Sequence, residues 1–568
     1  MVKAKARGLL IVLALALALA GCGPKQQPSS SQVGKTTGAS ASTAPIGGDV
    51  TTRPTEDSQA ATTTATTTEK TVPTSPMSKD PATTEPSEDA YPPSEYSIRG
   101  NLMGFATTSA ENAFKRLDGG SLKVYAAGKA DGLPGTLIAV NPGQTYQVID
   151  GFGAAMTDSS AHVMYKLSED KRNSLMERLF DESKGIGLSY LRNTMGACDF
   201  STDYYTYDDL PEGQTDPELK RFSIERDMKQ IIPLEKQALK INPKIKIVAS
   251  PWTAPPWMKT IHTYNGLMDP SGEYPADSPR LKKEFYGAWA NYFVKYIQAY
   301  KEQGIVIDAV THQNEPGVDP PYPAMRWNRE EMIDFIKNHL YPAFQKNKLD
   351  TKIYAWDYSF AGINVVLQMM FEAGEALDGA AFHFYNGDSS VQNTFKDAFP
   401  DKNVLVTEAS GLTKPFMNGL FWHMNNITSS LRNQGTGYIL WNLALDQNGG
   451  PTVNEYDPTV GGKSPVCVPL VTVNTTNDSY SFTSDYYALA HFSKFIRPGA
   501  KRVFSSDTAA ASDGKLLNLA CMNEDGTVTV VLTNQSATPA DVKIQVGDRV
   551  LATTLSGRSV TTLTWSAK

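Results

Sequence analysis

The sequence predicts an α/β fold, a closed barrel of the TIM (β/α)8 type with a side β-sandwich domain, and three observations carry that expectation. Between Gln147 and Leu443, strand-like apolar runs alternate with amphipathic or Lys/Glu-rich segments, the pattern of βα units. These runs number eight, as a closed barrel requires. Beyond about Tyr487 the pattern changes to short alternating runs split by turn residues such as Glu524-Asp525-Gly526 and Gly547-Asp548, which read as antiparallel hairpins.

The chain of 568 residues opens with Lys3, Lys5 and Arg7 ahead of an unbroken apolar run, Leu9 to Ala20. That run is too short for a comfortable bilayer span and follows a basic head, so residues 1–21 are expected to be a signal peptide. Leu19-Ala20-Gly21-Cys22 resembles the lipobox of bacterial lipoproteins. On that reading Cys22 is acylated and anchors the protein to the extracellular face of a bacterial membrane, because two or three acyl chains hold firmly where one does not. An ordinary secretory signal ending near a cysteine is the alternative. Residues 22–95 are Ser, Thr, Pro, Ala and Gly with scattered charges, and before Tyr91 they contain no Leu, Phe, Trp or Tyr. Such a segment cannot bury enough apolar surface to offset its conformational entropy, so a disordered tether is expected.

Barrel strands are predicted at Gln147 to Ala155, Gly187 to Thr194, Ile245 to Ser250, Val306 to Thr311, Lys352 to Trp356, Ala380 to Phe384, Asn403 to Thr407 and Gly437 to Trp441, within a domain spanning 146–487. From Arg280 to Gln303, Phe285, Trp289, Phe293, Tyr296, Ile297 and Tyr300 recur at helical spacing, a stripe that reads as core packing against the barrel rather than a ligand site. The helix expected from Arg329 to Leu340 follows Asn328, a suitable N-cap, and places Glu315 on the preceding βα connection. The hairpin strands are predicted at Leu516 to Met522, Thr527 to Leu532, Val542 to Val546, Val550 to Leu555 and Val560 to Trp565. This segment, 488–568, is small for an independent sandwich, so strands from 96–145 are expected to complete one β-domain with it. Trp565 is its most exposed-looking aromatic.

Cys198, Cys467 and Cys521 are far apart and lack metal-ligand spacing, so buried thiols are expected, with one disulfide as the alternative. A net charge of −7 without a basic block past the first residues argues against nucleic acid as a partner.

Two predicted strands end in glutamate: one leads through Gln313-Asn314 to Glu315-Pro316, the other through Thr407 to Glu408-Ala409. Barrel chemistry sits at that end of the strands. Paired carboxylates there suit a retaining glycosidase, in which one protonated carboxyl serves the leaving oxygen and one carboxylate attacks the sugar carbon. Glu315, as the acid, calls for a partly apolar pocket near like charge. Glu408 calls for donors and a cation, for which Arg192 is the candidate, and Asn314 is placed to reach a sugar 2-hydroxyl. This chemistry needs no metal and no organic cofactor.

Asp150-Gly151-Phe152-Gly153-Ala154-Ala155-Met156-Thr157-Asp158, Cys198-Asp199-Phe200-Ser201, Ser250-Pro251-Trp252-Thr253-Ala254-Pro255-Pro256-Trp257-Met258-Lys259-Thr260, Trp441-Asn442-Leu443-Ala444-Leu445 and His491-Phe492-Ser493-Lys494-Phe495-Ile496 together resemble glucosylceramidase-type enzymes of glycoside hydrolase family thirty. The resemblance covers about Tyr96 to Lys568. It implies a TIM barrel with a side β-domain, Glu315 as acid/base and Glu408 as nucleophile. It also implies that Asp158 and Trp252 hold the far hydroxyls of a glucosyl unit, that Trp441 forms a floor under it, and that His383 and Tyr385 lie near the nucleophile. Core packing for Trp252 and a satisfied core histidine for His383 are the alternatives. Gly317 to Arg326 and Gly411 to Asn418 depart from the lipid-cleaving members, which leaves the leaving-group side less defined than the sugar. The expected substrate is a β-glucan oligosaccharide, β-1,6-linked glucan included. Glucosylceramide, β-xylosides and β-fucosides are alternatives, and a catalytically silent carbohydrate-binding surface protein is the alternative from another class.

Overall fold

A computed structural model of the chain describes residues 95–268, 277–412, 415–454, 467–509 and 512–568. The signal segment, the tether and Cys22 lie outside the described residues.

The barrel consists of β1 (Gly151–Met156), β2 (Tyr190–Thr194), β3 (Lys246–Ser250), β4 (Ala309–Thr311), β5 (Lys352–Ser359), β6 (Gly379–His383), β7 (Asn403–Glu408) and β8 (Gly437–Asn442). All eight pair in parallel with their chain neighbours, and β8 closes on β1. The helix Tyr286–Glu302 lays its aromatic stripe into the barrel's outer core, where Trp289, Phe293, Tyr296 and Tyr300 are buried. Asn328 caps Arg329–Phe335 in a reciprocal capping box with Glu331, which fixes where the connection after Glu315 ends.

Three predicted boundaries shift for identifiable reasons. The first barrel strand starts at Gly151 rather than Gln147, because Gln147 and Val148 finish the long strand Thr136–Val148 of the β-domain. Val148 pairs there with Lys501, and the Gln147 side chain bonds Arg502. One apolar run thus serves two sheets, crossing at Ile149-Asp150. β4 is only three residues long, since Val306 is 64% exposed and Asp308 turns its carboxylate back to cap the Ile247 N–H at 2.8 Å. β5 runs past Trp356 to Ser359 through a bulge: Ala381 pairs with Trp356 and Phe382 with Tyr358, leaving Asp357 extra. Trp356 and Asp357 have φ of +80° and +63°, and such a bulge re-aims its side chain.

The β-domain is one ten-stranded hydrogen-bonded ladder that draws on both ends of the described chain. Gly100–Thr107 pairs with Ser559–Ser566, and Lys123–Ala126 pairs with Arg549–Leu555. Thr136–Val148 joins the two parts, pairing antiparallel with Lys501–Ser505 along its second half and parallel with Ala540–Val546 along its first. Ile138, Val140, Val530, Ile544, Leu551 and Leu563 fill its core. Trp565 is fully buried in that core and is no exposed platform.

The helix Ser484–Ser493 runs through the expected domain boundary at 487/488 because it is the seam itself. Its His491 lies 2.8 Å from Thr107 Oγ1 and 2.9 Å from Thr562 Oγ1, bonding both strands that face it. Burial lowers this imidazole to about 3, so it bridges as a neutral ring. Cys198, Cys467 and Cys521 are free and buried.

Candidate active site

The strand ends converge on one buried guanidinium. Arg192 is the third residue of β2, and its side chain is fully buried inside the barrel. Nη1 donates to Glu408 Oε2 at 2.5 Å, while Nη2 donates to Asn314 Oδ1 at 2.7 Å and Asp357 Oδ2 at 3.0 Å. Its guanidinium carbon also stands 4.8 Å from the Trp252 ring centroid and 5.5 Å from that of Trp441, within cation–π range. The predicted cation and its carboxylate are therefore paired.

Glu408 closes β7, and its other oxygen, Oε1, accepts from Tyr385 Oη at 2.8 Å. Both oxygens thus have donors, a setting suited to a charged carboxylate. The Tyr385 residue remains 42% exposed although its hydroxyl is held, so its ring lines the open cleft.

Glu315 follows β4 with φ at +46°, a left-handed conformation held by its N–H donating to Asp357 O at 3.0 Å. Its side chain is 16% exposed, and Oε1 lies 2.9 Å from His383 Nδ1. Burial raises this carboxyl above the usual range, with Glu408 adding to the shift and His383 and Arg192 opposing it. The two glutamates differ in kind: Glu408 sits between a cation and a phenol, Glu315 beside an imidazole.

His383 ends β6 with Nδ1 on Glu315 and Nε2 3.1 Å from Asp357 Oδ1. Burial opposes its charge, yet Glu408, Asp357 and Glu315 together outweigh burial and raise the imidazole to about 9. It is a charged group at neutral pH.

Asp357 is the residue that sequence reading missed. Besides Arg192 and His383, it accepts from Thr407 Oγ1 at 2.6 Å, and the Ser250 and Thr311 hydroxyls lie 2.7 Å from its Oδ2. Burial alone would raise its carboxyl, but Arg192, His383 and Thr407 hold it far below the usual carboxylate range. An aspartate directly after a predicted barrel strand was the available signal.

Trp252 and Trp441 stack with centroids 5.1 Å apart and planes 21° from parallel, and Phe200 meets Trp441 edge-on at 6.4 Å. With Cys198, Ala155 and Leu445 they form an apolar floor beside the carboxylates. Asp158 begins the helix Asp158–Met164, and its Oδ2 is committed to Thr202 N at 2.8 Å, Thr202 Oγ1 at 2.7 Å and Arg226 at 3.4 Å. Asp199 is placed differently, because its Oδ1 is buried without a hydrogen-bond partner. Burial, with Glu408 and Glu315 nearby, pushes its carboxyl up to about 8.

Among the described residues, the one group of carboxylates and imidazole close enough to share an ion is Glu315, His383 and Glu408. One ligand atom from each lies within 4.8 Å of the others, and both nitrogens of His383 are already engaged, Nδ1 by Glu315 and Nε2 by Asp357. A cavity of about 370 Å³ lined by Asp150, Lys246, Asp308 and Lys352 opens at the other, N-terminal end of the strands, away from this chemistry.

Residues 149–496 match the family described as glycosyl hydrolase family 30 TIM-barrel domain, and 499–563 match the glycosyl hydrolase family 30 beta sandwich domain. The chain is 32% identical over 400 residues to an endo-1,6-beta-D-glucanase of Neurospora crassa, covering 69% of this chain and 80% of that protein. It is 33% identical over 458 residues to the lysosomal acid glucosylceramidase of Mus musculus, covering 76% and 84% respectively. A solved endo-beta1,6-glucanase superposes with a TM-score of 0.68 at 30% identity, covering 82% of this chain and all 100% of that one. The barrel, the flanking β-domain and these matches establish that the chain belongs to glycoside hydrolase family 30 and is a glycosidase.

Proposed function

We propose that the protein is a retaining β-glucosidase acting on β-1,6-linked glucan. The observation that carries the retaining mechanism is the separation of Glu315 and Glu408, whose nearest carboxylate oxygens lie within 4.8 Å. Retaining enzymes hold their two carboxyl groups at about 5 to 5.5 Å, whereas an inverting pair stands roughly 6.5 to 9.5 Å apart to admit a water.

In this reading Glu408, charged and oriented by Arg192 and Tyr385, attacks the anomeric carbon. Glu315 gives its proton to the departing glycosidic oxygen, and a glycosyl ester of Glu408 forms. Glu315, now a carboxylate, takes a proton from water as that water attacks the same carbon. The β-sugar leaves and both residues return to their starting states. Asn314 Oδ1 is occupied by Arg192, so its Nδ2 is the end left to donate to the sugar 2-hydroxyl. Trp252 and Trp441 provide the floor, and Asp199 offers an unpaired oxygen for a sugar hydroxyl.

The β-1,6-glucan assignment draws on relatives from Neurospora crassa, Trichoderma harzianum and Aspergillus fumigatus that bear the name endo-1,6-beta-D-glucanase, at 32–33% identity. Glucosylceramide is the second reading, favoured by the 33% identity to the mouse enzyme. Proton NMR of the protein with β-1,6-gluco-oligosaccharides and, separately, glucosylceramide tests both. Initial release of a β-anomer from the oligosaccharide supports the proposal; an initial α-anomer removes the retaining mechanism, and cleavage of the lipid alone removes the glucan. By the same proposal Cys22 carries the lipid anchor, which mass spectrometry of the mature N-terminus tests.

A further inference from the structure

Lys259 has a side chain that the proposed chemistry does not use. It is 1% exposed, and among the described residues its ammonium makes no ion pair. Nζ donates instead to Thr253 Oγ1 at 2.7 Å, Tyr264 O at 3.1 Å and Ala324 O at 3.0 Å, which uses all three of its N–H bonds. Burial drives its pKa well below the ordinary lysine value, with Asp319 opposing. Burying such a group is costly, and only complete hydrogen bonding offsets the cost.

The three acceptors belong to three different parts of the cleft. Thr253 follows Trp252 of the apolar floor. Ala324 lies on the segment that leaves Glu315, and Tyr264 lies on a facing segment. These two segments are zipped together: Gly266 N donates to Pro320 O at 3.0 Å and Tyr322 O at 3.1 Å, Met268 N to Asp319 O at 2.9 Å, and Ala324 N to Tyr264 O at 3.1 Å. Tyr322, inside this zipper, packs against the floor cluster of Trp252 and Trp441. Burial raises its phenol. A single buried ammonium therefore ties floor, wall and acid-bearing segment to one point.

We infer that Lys259 is a positioning residue that sets the wall formed by 264–268 and 319–324 against the floor, and so determines how the leaving part of the substrate is held. The inference rests on the glycosidase reading above. A wall out of register misplaces the leaving portion relative to Glu315 while the sugar pocket keeps its own contacts. A substrate whose leaving group is small and needs little protonation escapes that penalty.

Two variants test this. Lys259→Met removes the donors and keeps the stem. Gly266→Ala leaves Lys259 intact but adds a Cβ that would stand 2.0 Å from Asp319 O, so the two segments must part. The measurements are kcat and KM on a β-1,6-gluco-oligosaccharide and on an aryl β-glucoside, the affinity for a glucose-sized iminosugar, and Tm. Both variants are expected to lose on the order of 10- to 100-fold in kcat/KM on the oligosaccharide, as small misplacements do. Turnover of the aryl glucoside and iminosugar affinity stay near wild type. Equal losses on both substrates, or no loss on the oligosaccharide, overturn the inference, and Gly266→Ala decides if Lys259→Met does not fold. A wild-type protein that cleaves neither substrate overturns the β-glucosidase reading above, and the inference with it.

Discussion

His383 Nε2 lies 3.1 Å from Asp357 Oδ1, and the pair joins the ends of two adjacent barrel strands, β6 and β5. The same imidazole reaches Glu315 through Nδ1, and the same carboxylate reaches Arg192 through Oδ2. The acid and the nucleophile are thereby linked through one aspartate that touches no solvent. With Arg192 and His383 positive and Asp357 and Glu408 negative, the buried charges cancel only if Glu315 is protonated. The network thus favours the state that a general acid requires.

Asp357→Asn breaks that balance. Arg192 and His383 remain buried and lose the anion they share, and breaking a buried pair from one side costs about 3 to 5 kcal/mol. Stability should fall by that order in denaturant unfolding near neutral pH. The loss shrinks as the medium is acidified, because the contribution of a depressed carboxylate vanishes as pH falls through its folded-state value. Turnover should fall at least about 100-fold with KM little changed, since Asp357 is buried away from the sugar.

His383→Gln separates orientation from charge. His383 lowers the Glu315 carboxyl, both as a donor and as a cation, so its removal lets that carboxyl rise further. The alkaline limb of the pH profile of kcat/KM should move to higher pH while the maximum drops. For stability the sign is opposite to that of Asp357. An imidazole raised to about 9 contributes fully below its unfolded value of about 6.5, and that contribution is lost as pH rises through 9. Wild type should therefore lose its advantage over the variant on the alkaline side, which Tm measured against pH would reveal.

The two glutamates were legible because each terminates an apolar run, and in a parallel barrel the end of such a run is the mouth of the site. Arg192 was legible as the one charged residue in the predicted second strand. Asp357 also follows a predicted strand, but its place in the site comes through a bulge, which depends on how β5 registers against β6 and which one strand's residues do not encode. The start of β1 was misplaced since Gln147-Val148 and Gly151–Met156 are separated only by Ile149-Asp150, and the division between two sheets is decided by distant partners, Lys501 and Thr436. The seam helix Ser484–Ser493 was likewise hidden: its burial on all sides removes the polar face that periodicity needs.

Glu315→Ala and Glu408→Ala should part according to the leaving group. Without Glu315, an aryl glucoside with an acidic phenol still transfers its sugar to Glu408, whereas an oligosaccharide does not. The oligosaccharide rate should drop by about 10² to 10⁴, the range general acid catalysis supplies. Mass spectrometry should then find a glycosyl adduct accumulating on the Glu315 variant. Without Glu408 neither substrate should be turned over, and no adduct should form.

Asp199→Ala and Asp158→Ala compare two acids near the sugar. Asp199 carries an unpaired buried oxygen, and on the proposed reading its loss should remove a substrate contact and lower kcat/KM by about 10- to 100-fold with little change in Tm. Asp158 joins Thr202 and Arg226, so its loss should appear chiefly as a lower Tm through a loosened loop. Kinetics and calorimetry on both variants check the contrast, and a loss of kcat/KM at Asp158 would give its second oxygen the sugar contact that the family resemblance implies.

Glu235 tests the scaffold behind the site. It lies on the helix Ile231–Ile241, fully buried, and burial pushes its carboxyl up to about 8. Between its unfolded value, about 4.3, and that raised value, the folded protein holds a proton that the unfolded chain has released, so stability declines as pH rises. One such proton corresponds to about 1.4 kcal/mol per pH unit. Asp227, pushed up to about 7 by burial, adds a decline over the lower part of the same window. Glu235→Gln keeps the shape and carries no proton to release. Its unfolding free energy should therefore fall less steeply than wild type from about pH 5 to 8, by up to that slope, and the two proteins should converge toward acid. Parallel curves for wild type and variant would mean that Glu235 is charged and solvated in the folded state.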